Sequence, residues 1–274
     1  MKSCLTICTA ILLSAASAHT ADFNGPPAWM KNVTRLPPGG YANLRPVKME
    51  FTLSWNNKIN AGKVELSVTR SGSGDSKLIG EATGKSTGFA RVVWPYDFRA
   101  RSIIDENSLR PITFQLSERE RKEDTAYDII FEKKRQLYTT TSKGENDELR
   151  TATSRFKFDF GHDMLSSAFY LRSHRLQDGD EITMVVSPFN KPYLARFKVL
   201  GRETHKIKGK SYEAIKLDAE IGKINSDLTL KSYEKVKQST LWIGDDEYRL
   251  PLELQSQISV GYISARLDSL KWLE

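Results

Sequence analysis

The sequence predicts a mainly β protein, a strongly curved antiparallel sheet or open β-barrel enclosing one short helix. Three observations point there. Apolar residues fall on every second position in many short runs, the clearest being Val47, Met49, Phe51, Leu53 and Trp55, a period that places side chains on one face of a strand. Turn-forming residues interrupt these runs at short intervals, as in an antiparallel meander. Only the segment after Asp163 carries a clear helical period, with Leu165, Ala168, Phe169 and Arg172 on one side.

The N-terminus has a different pattern. Lys2, an apolar stretch from Leu5 to Leu13 and the small-residue exit Ala16-Ser17-Ala18 occur in the order of a cleavable signal peptide, predicted over 1–18 with a mature start at His19. Both cysteines, Cys4 and Cys8, fall inside it, so the mature chain is expected to hold no thiol nucleophile and no disulfide. Cys8 lies within the apolar run rather than directly after it, which argues against lipid attachment. No later stretch reaches a membrane-spanning apolar length, and no transmembrane anchor is expected after cleavage. An exported protein is expected, with the periplasm or secretion beyond it as its address.

Residues 19–45 read as a lead-in arm, because Gly25-Pro26-Pro27 and Pro37-Pro38-Gly39-Gly40 prevent sustained helix or central strand. Residues 46–274 then form a single antiparallel β domain, with the helix near 164–174. Val47–Trp55 and Val64, Leu66, Val68 make a hairpin across the turn 56–62. Strands follow at 88–94, 111–116, 126–131, 136–141 and 153–160. Asp163 caps the helix. After the turn Asp178-Gly179-Asp180 come strands at 182–186, 192–200 and 212–217. A hairpin joins Leu241-Trp242-Ile243 to Tyr248, Leu250, Leu252 and Leu254, and 260–267 is the last strand. Pro251 lacks an amide hydrogen, so its strand lies at an edge or turns that nitrogen outward.

The 274-residue chain is 39% apolar, 10% aromatic and 27% charged, an ordinary folded composition, and its length suffices to bury a full core. Its formal charge is +7, or +6 once Lys2 is removed. Acidic and basic residues interleave at 117–124 and 132–135, the pattern of a solvated face. Arg99, Arg101, Arg110 and Arg172 are the candidates for meeting an anionic group. Aromatic-basic RNA motifs and recognition helices are missing, so no nucleic-acid partner is expected.

Motifs for chemistry are weak. Gly80-Glu81-Ala82-Thr83-Gly84-Lys85-Ser86 is one residue short of a phosphate-binding loop. Asp159, His162 and Asp163 form the one compact set with ligand chemistry, but a helix cap and a solvated histidine explain them, and no metal or cofactor is expected. A dispersed hydrolase site stays open, and no catalytic residue is assigned. The remaining lead is aromatic. Trp55, Trp94, Phe158, Phe169, Tyr170, Tyr193 and Trp242 are candidates to line an apolar ligand cavity on the concave face, with a filled core as the alternative.

Trp55 with Ile59-Asn60-Ala61-Gly62, the segment Asp163 to Arg172, Gly179-Asp180, and Leu241-Trp242-Ile243-Gly244-Asp245-Asp246 with Arg249 and Pro251 together resemble an uncharacterised family of bacterial exported proteins, the domain of unknown function numbered 3108. The resemblance runs from about Val47 to Leu270. It implies a periplasmic address in Gram-negative bacteria and carries over no catalytic residue. The tryptophan hairpin and closing strand are also distantly similar to the open-barrel fold of lipoprotein carriers, an analogy of fold and not of function. The expected function is non-catalytic binding of an apolar or lipid-like envelope component. The alternatives are a module that engages an envelope protein or acidic polysaccharide, and an envelope hydrolase.

Overall fold

The structure, a computed structural model, describes residues 27–72, 75–144, 148–232 and 238–274. The leader at 1–18, both cysteines and His19 lie outside them. After a single helical turn, α1 (Ala28–Lys31), the chain runs through β1 (Val47–Trp55), β2 (Ile59–Arg70) and β3 (Lys77–Ser86) to a second short helix, α2 (Gly88–Val93). Then come β4 (Tyr96–Asp105), β5 (Pro111–Glu120), β6 (Glu123–Glu132), β7 (Arg135–Lys143) and β8 (Leu149–Phe156). A short β9 (Gly161–His162) leads into the central helix α3 (Met164–Ser173). The second half holds β10 (Glu181–Val186), β11 (Tyr193–Ile207), β12 (Lys210–Ile224), β13 (Leu230–Ser232), β14 (Gln238–Gly244), β15 (Pro251–Gln257) and β16 (Tyr262–Trp272).

All these strands belong to one 16-stranded sheet in the order β8-β7-β6-β5-β4-β3-β2-β1-β16-β15-β14-β12-β11-β10-β9, with β13 beside β12. The last strand returns to the first, Val47 opposite Trp272 and Trp55 opposite Ile263, so the two halves share one continuous ladder. Every ladder is antiparallel except the short β9–β10 pair. The end strands β8 and β9 do not pair, which leaves a curved, unclosed sheet. Along the free edge all of β8 except Phe156 is exposed. Arg150 and Arg155 on it are charges of the kind that discourage strand addition.

The central helix starts where the sequence places it. The Asp163 carboxylate accepts the amides of Leu165 (2.7 Å) and Ser166 (3.0 Å), and the Ser166 hydroxyl accepts the Asp163 amide (2.9 Å), a reciprocal capping box. Its side chains join three apolar clusters. Tyr170 and Leu171 pack with Ile182, Met184, Phe197, Ile215 and Leu217. Phe169 packs with Met49, Leu78 and Ile104. Leu165 packs with Ala100, Phe114, Leu116 and Ile129. Burying apolar area on this scale, at about 25 cal/mol per Å², is what holds an open sheet curled around a ten-residue helix.

The lead-in segment lies along this core. Trp29 and Val33 are buried with Phe158 and Leu165, and Tyr170 donates to the Leu36 carbonyl (2.7 Å). Gly39 passes so close to the helix end that a Cβ there would sit 2.3 Å from the Ser173 carbonyl oxygen.

One expectation is corrected here and another narrowed. Residues 88–94 are not a strand: Gly88 takes a left-handed φ of +56°, and the chain turns into α2. Of the two placements open to Pro251 the edge strand is excluded, since β15 lies between β14 and β16. It is instead the first residue of β15, where the register against β14 slips, so the missing amide hydrogen falls at an irregularity in the ladder.

Candidate functional site: an exposed apolar rim

At one end of the sheet three chain reversals meet. The β1–β2 turn carries Asn56 and Asn57 at φ of 50° and 54°, left-handed values that asparagine tolerates. It is tied to the β15–β16 turn, because Asn56 Oδ1 accepts the Tyr262 amide (2.8 Å) and the Trp55 indole donates to the Val260 carbonyl (3.0 Å). Helix α2 joins the same end through the Thr87 amide, which donates to the Ala61 carbonyl (2.9 Å). Around this rim Phe89 is 76% exposed, Val92 80%, Val260 69%, Val93 54%, Ile59 48% and Trp55 38%. Phe89, Val92 and Val93 are spaced i, i+3 and i+4, so one face of α2 is apolar and faces solvent. Isolated exposed apolar residues are ordinary, whereas a contiguous group at a tip marks an interaction site.

The polar groups near the rim are mostly engaged. Arg91 pairs with Asp97 (2.8 Å), and the Trp94 indole donates to Glu120 (2.8 Å). Arg121 reaches the Val93 carbonyl.

The seven aromatic candidates do not line one cavity: Phe169 and Trp242 belong to one core cluster, Tyr170 and the partly buried Tyr193 to another, and Phe158 to a third. Phe158, Phe169 and Tyr170 are buried in the clusters around α3. Trp242 lies on the other side of the sheet from Leu241 and Ile243, its strand neighbours, which pack toward Tyr170. It stacks on the His205 ring at 4.5 Å and donates to Glu203 (2.7 Å), beneath the tip of the β11–β12 hairpin. Trp94 stacks on Tyr96 at 4.9 Å, Tyr193 opens β11 and is partly buried, and Trp55 stands at the rim.

The arginines do not converge either. Arg99 and Arg101 share Glu81 (3.8 and 3.6 Å) on the outer face, and Arg99 borders an open groove of about 550 Å³ whose floor includes the ion pair Arg119–Asp124. Arg110 lies 4.7 Å over the Phe160 ring. Arg172 is 4% exposed and clamps the Tyr248 and Asn43 carbonyls (2.7 and 3.0 Å).

The compact set with ligand chemistry is also dispersed. Asp159 pairs with Arg35, Asp163 caps α3, and His162, expected to be solvated, is instead fully buried between Phe160 and Tyr170. Among the described residues no three His, Cys, Asp or Glu side chains gather as metal ligands. Glu118 is held on the concave side by the Tyr96 and Tyr127 hydroxyls (2.8 and 3.1 Å), and burial pushes its carboxyl above the usual range. Among the described residues no helix is long and apolar enough to cross a membrane.

These features define a β-barrel-like protein whose sheet stays open around one helix. The chain belongs to a family described as Protein of unknown function (DUF3108), whose model matches residues 50–268. A similar solved structure is a β-barrel-like protein of the domain of unknown function DUF1849 from Brucella abortus, with TM-score 0.53 and 10% identity, covering 85% of this chain and 99% of that one. A lipoprotein candidate from Parabacteroides distasonis gives TM-score 0.34 at 7% identity, over 86% and 100% of the two chains. An exported-protein candidate with a YmcC-like fold from Bacteroides fragilis gives 0.33 at 7%, over 85% and 99%. No curated protein matches the sequence.

Proposed function

We propose that this chain is a binding protein of the bacterial envelope that engages the surface of a phospholipid bilayer through its apolar rim. The observation that carries the reading is the exposure of Phe89, Val92 and Val93 on one face of α2, beside Trp55, Ile59 and Val260. The shape favours a bilayer over a protein groove, because the apolar groups project from turns at a tip. A half-exposed indole at that level suits the interface between acyl chains and head groups. The rim, rather than the concave face, carries the reading, since Phe158, Phe169 and Tyr170 are packed against other core side chains. The order of charge, apolar run and small residues in 1–18 supports an exported, periplasmic protein.

Transfer of Phe89, Val92 and Val93 out of water is worth on the order of 5 kcal/mol. The full chain is therefore expected to co-sediment with phosphatidylcholine–phosphatidylglycerol vesicles. Replacing Phe89→Asp together with Val92→Asp should lower the bound fraction at least about tenfold while leaving the urea midpoint unchanged, because both side chains are already in solvent. No sedimentation of the unaltered protein, or equal sedimentation of the double variant, would sink the reading.

A further inference from the structure

At the far end of the same strands, 11 residue steps or roughly 36 Å along β2 from Ile59, lies a depression of about 520 Å³. It is lined by Gly40, Tyr41, Asn43, Arg45, Arg70, Glu247 and Tyr248. Two arginines lie beneath it. Arg172 is 4% exposed and bonds the backbone carbonyls of two lining residues, Tyr248 and Asn43, while its Nη1 has no hydrogen-bond partner among the described residues. Arg249 is 3% exposed, with its guanidinium 3.4 Å from the centre of the Tyr41 ring, one nitrogen on the His174 carbonyl, and Nε without a partner among the described residues.

Among the described residues no carboxylate stands within ion-pairing distance of Arg45, Arg172 or Arg249. Arg70 alone is neutralised, by Glu106 at 2.7 Å, and it also reaches the Asn43 side chain (3.3 Å). Of the nearby acids, Asp246 turns its carboxylate to the amides of Tyr248 and Arg249 (2.9 and 2.7 Å), and Asp245 pairs with Arg202. Glu247 is an exposed carboxylate on the lining itself.

A buried guanidinium without a carboxylate is destabilising on its own. Burial, then the neighbouring charge of Arg249, pushes Arg172 down to about 10 against the weaker opposing pull of Asp246, and burial likewise lowers Arg249 against Tyr41 and Asp245. We infer that this depression binds a phosphoryl group, contacted by Arg45 and Arg70 and stabilised from below by Arg172 and Arg249. A tetrahedral dianion can accept from several guanidinium forks together with the Asn43 amide and the tyrosine hydroxyls, where a carboxylate offers only two oxygens. The volume leaves room for the rest of a phosphomonoester.

The test is titration of the full chain with inorganic phosphate, with monomeric dihexanoyl phosphatidic acid, and with acetate, in the unaltered protein, Arg45→Gln, Arg70→Gln, and Phe89→Ser at the opposite rim. Phosphate binding that weakens about tenfold or more in each arginine variant, and not in Phe89→Ser, supports the site and a soluble phosphate as its source. Binding of the phosphatidic acid alone, with the same losses, supports the site and a lipid head group as its source. Acetate binding as tightly as phosphate, binding indifferent to Arg45 and Arg70, or no binding of either phosphoryl probe would overturn it. The Phe89→Ser control separates this outcome from failure of the bilayer reading.

Discussion

Replacing Asp163 with alanine is expected to lower the unfolding free energy by about 4 kcal/mol. The residue is wholly buried and its carboxylate does two jobs. One oxygen caps α3 through the amides of Leu165 and Ser166; the other accepts the Ser102 hydroxyl of β4 at 2.6 Å, bolting the helix to the sheet. Loss of a cap costs about 1 kcal/mol. The larger part comes from leaving two amides and a hydroxyl buried without an acceptor, at about 1 to 3 kcal/mol for each group that water does not reach. Asp163→Asn keeps an acceptor for the amides and lets Ser102 reverse its bond, so it should cost only about 1 kcal/mol. Burial, which outweighs the hydrogen bonds, pushes the carboxyl up, a sign that the negative charge itself is not what the site needs. Urea unfolding of the three proteins measures the order. An alanine variant within about 1 kcal/mol of the parent would mean that α3 is held by packing alone.

How far the fold can be read from sequence varies with the residues concerned. Val47 to Trp55 announces a strand because its apolar residues alternate through 47, 49, 51, 53 and 55, a period with no helical counterpart, even though Thr52 and Ser54 are buried as well and Trp55 is exposed; the Asp163 cap marks α3 because its acceptor chemistry is local. Residues 88–94 are ambiguous because so short a run, seven residues, fits either period: Phe89, Arg91 and Val93 alternate, while Phe89, Val92 and Val93 lie on one helical face. The left-handed Gly88 decides, and a glycine's φ is not written in its neighbours. Leu241-Trp242-Ile243 is apolar throughout, so nothing local says which side Trp242 takes; the bent β11–β12 hairpin that covers it is a tertiary fact. The arginine pocket was hidden for a different reason. Arg45, Arg70, Arg172 and Arg249 come from four separate segments, and their relation is created by the return of β16 to β1.

Acidification should unfold this protein earlier than its carboxylates alone would, and His162 is the reason. Its ring is fully buried, 4.7 Å from Tyr170 and 5.6 Å from Phe160, with neither nitrogen hydrogen-bonded among the described residues. Burial, then the positive charge of Arg110, then His174, lower its pKa to about 3. The other charged groups in this region, Arg35 and Asp159, neutralise each other at 2.8 Å. Because the folded pKa lies below the unfolded value of about 6.5, the neutral ring costs nothing near pH 7.5. As pH falls below 6.5 the unfolded chain gains a proton that the folded chain refuses. The stability lost at pH 5 is then about 2 kcal/mol, and it grows until the pH approaches the folded value. Phenylalanine fits the same aromatic contacts and leaves no buried nitrogen, so His162→Phe should be at least as stable near pH 7.5 and should lose most of the decline between pH 7.5 and 5. A smaller slope should persist through His174, which burial also lowers. If the variant and the parent show equal changes in urea midpoint between those pH values, the imidazole is reached by protons in the folded state, and the closed packing of Phe160, Tyr170 and α3 around it is wrong.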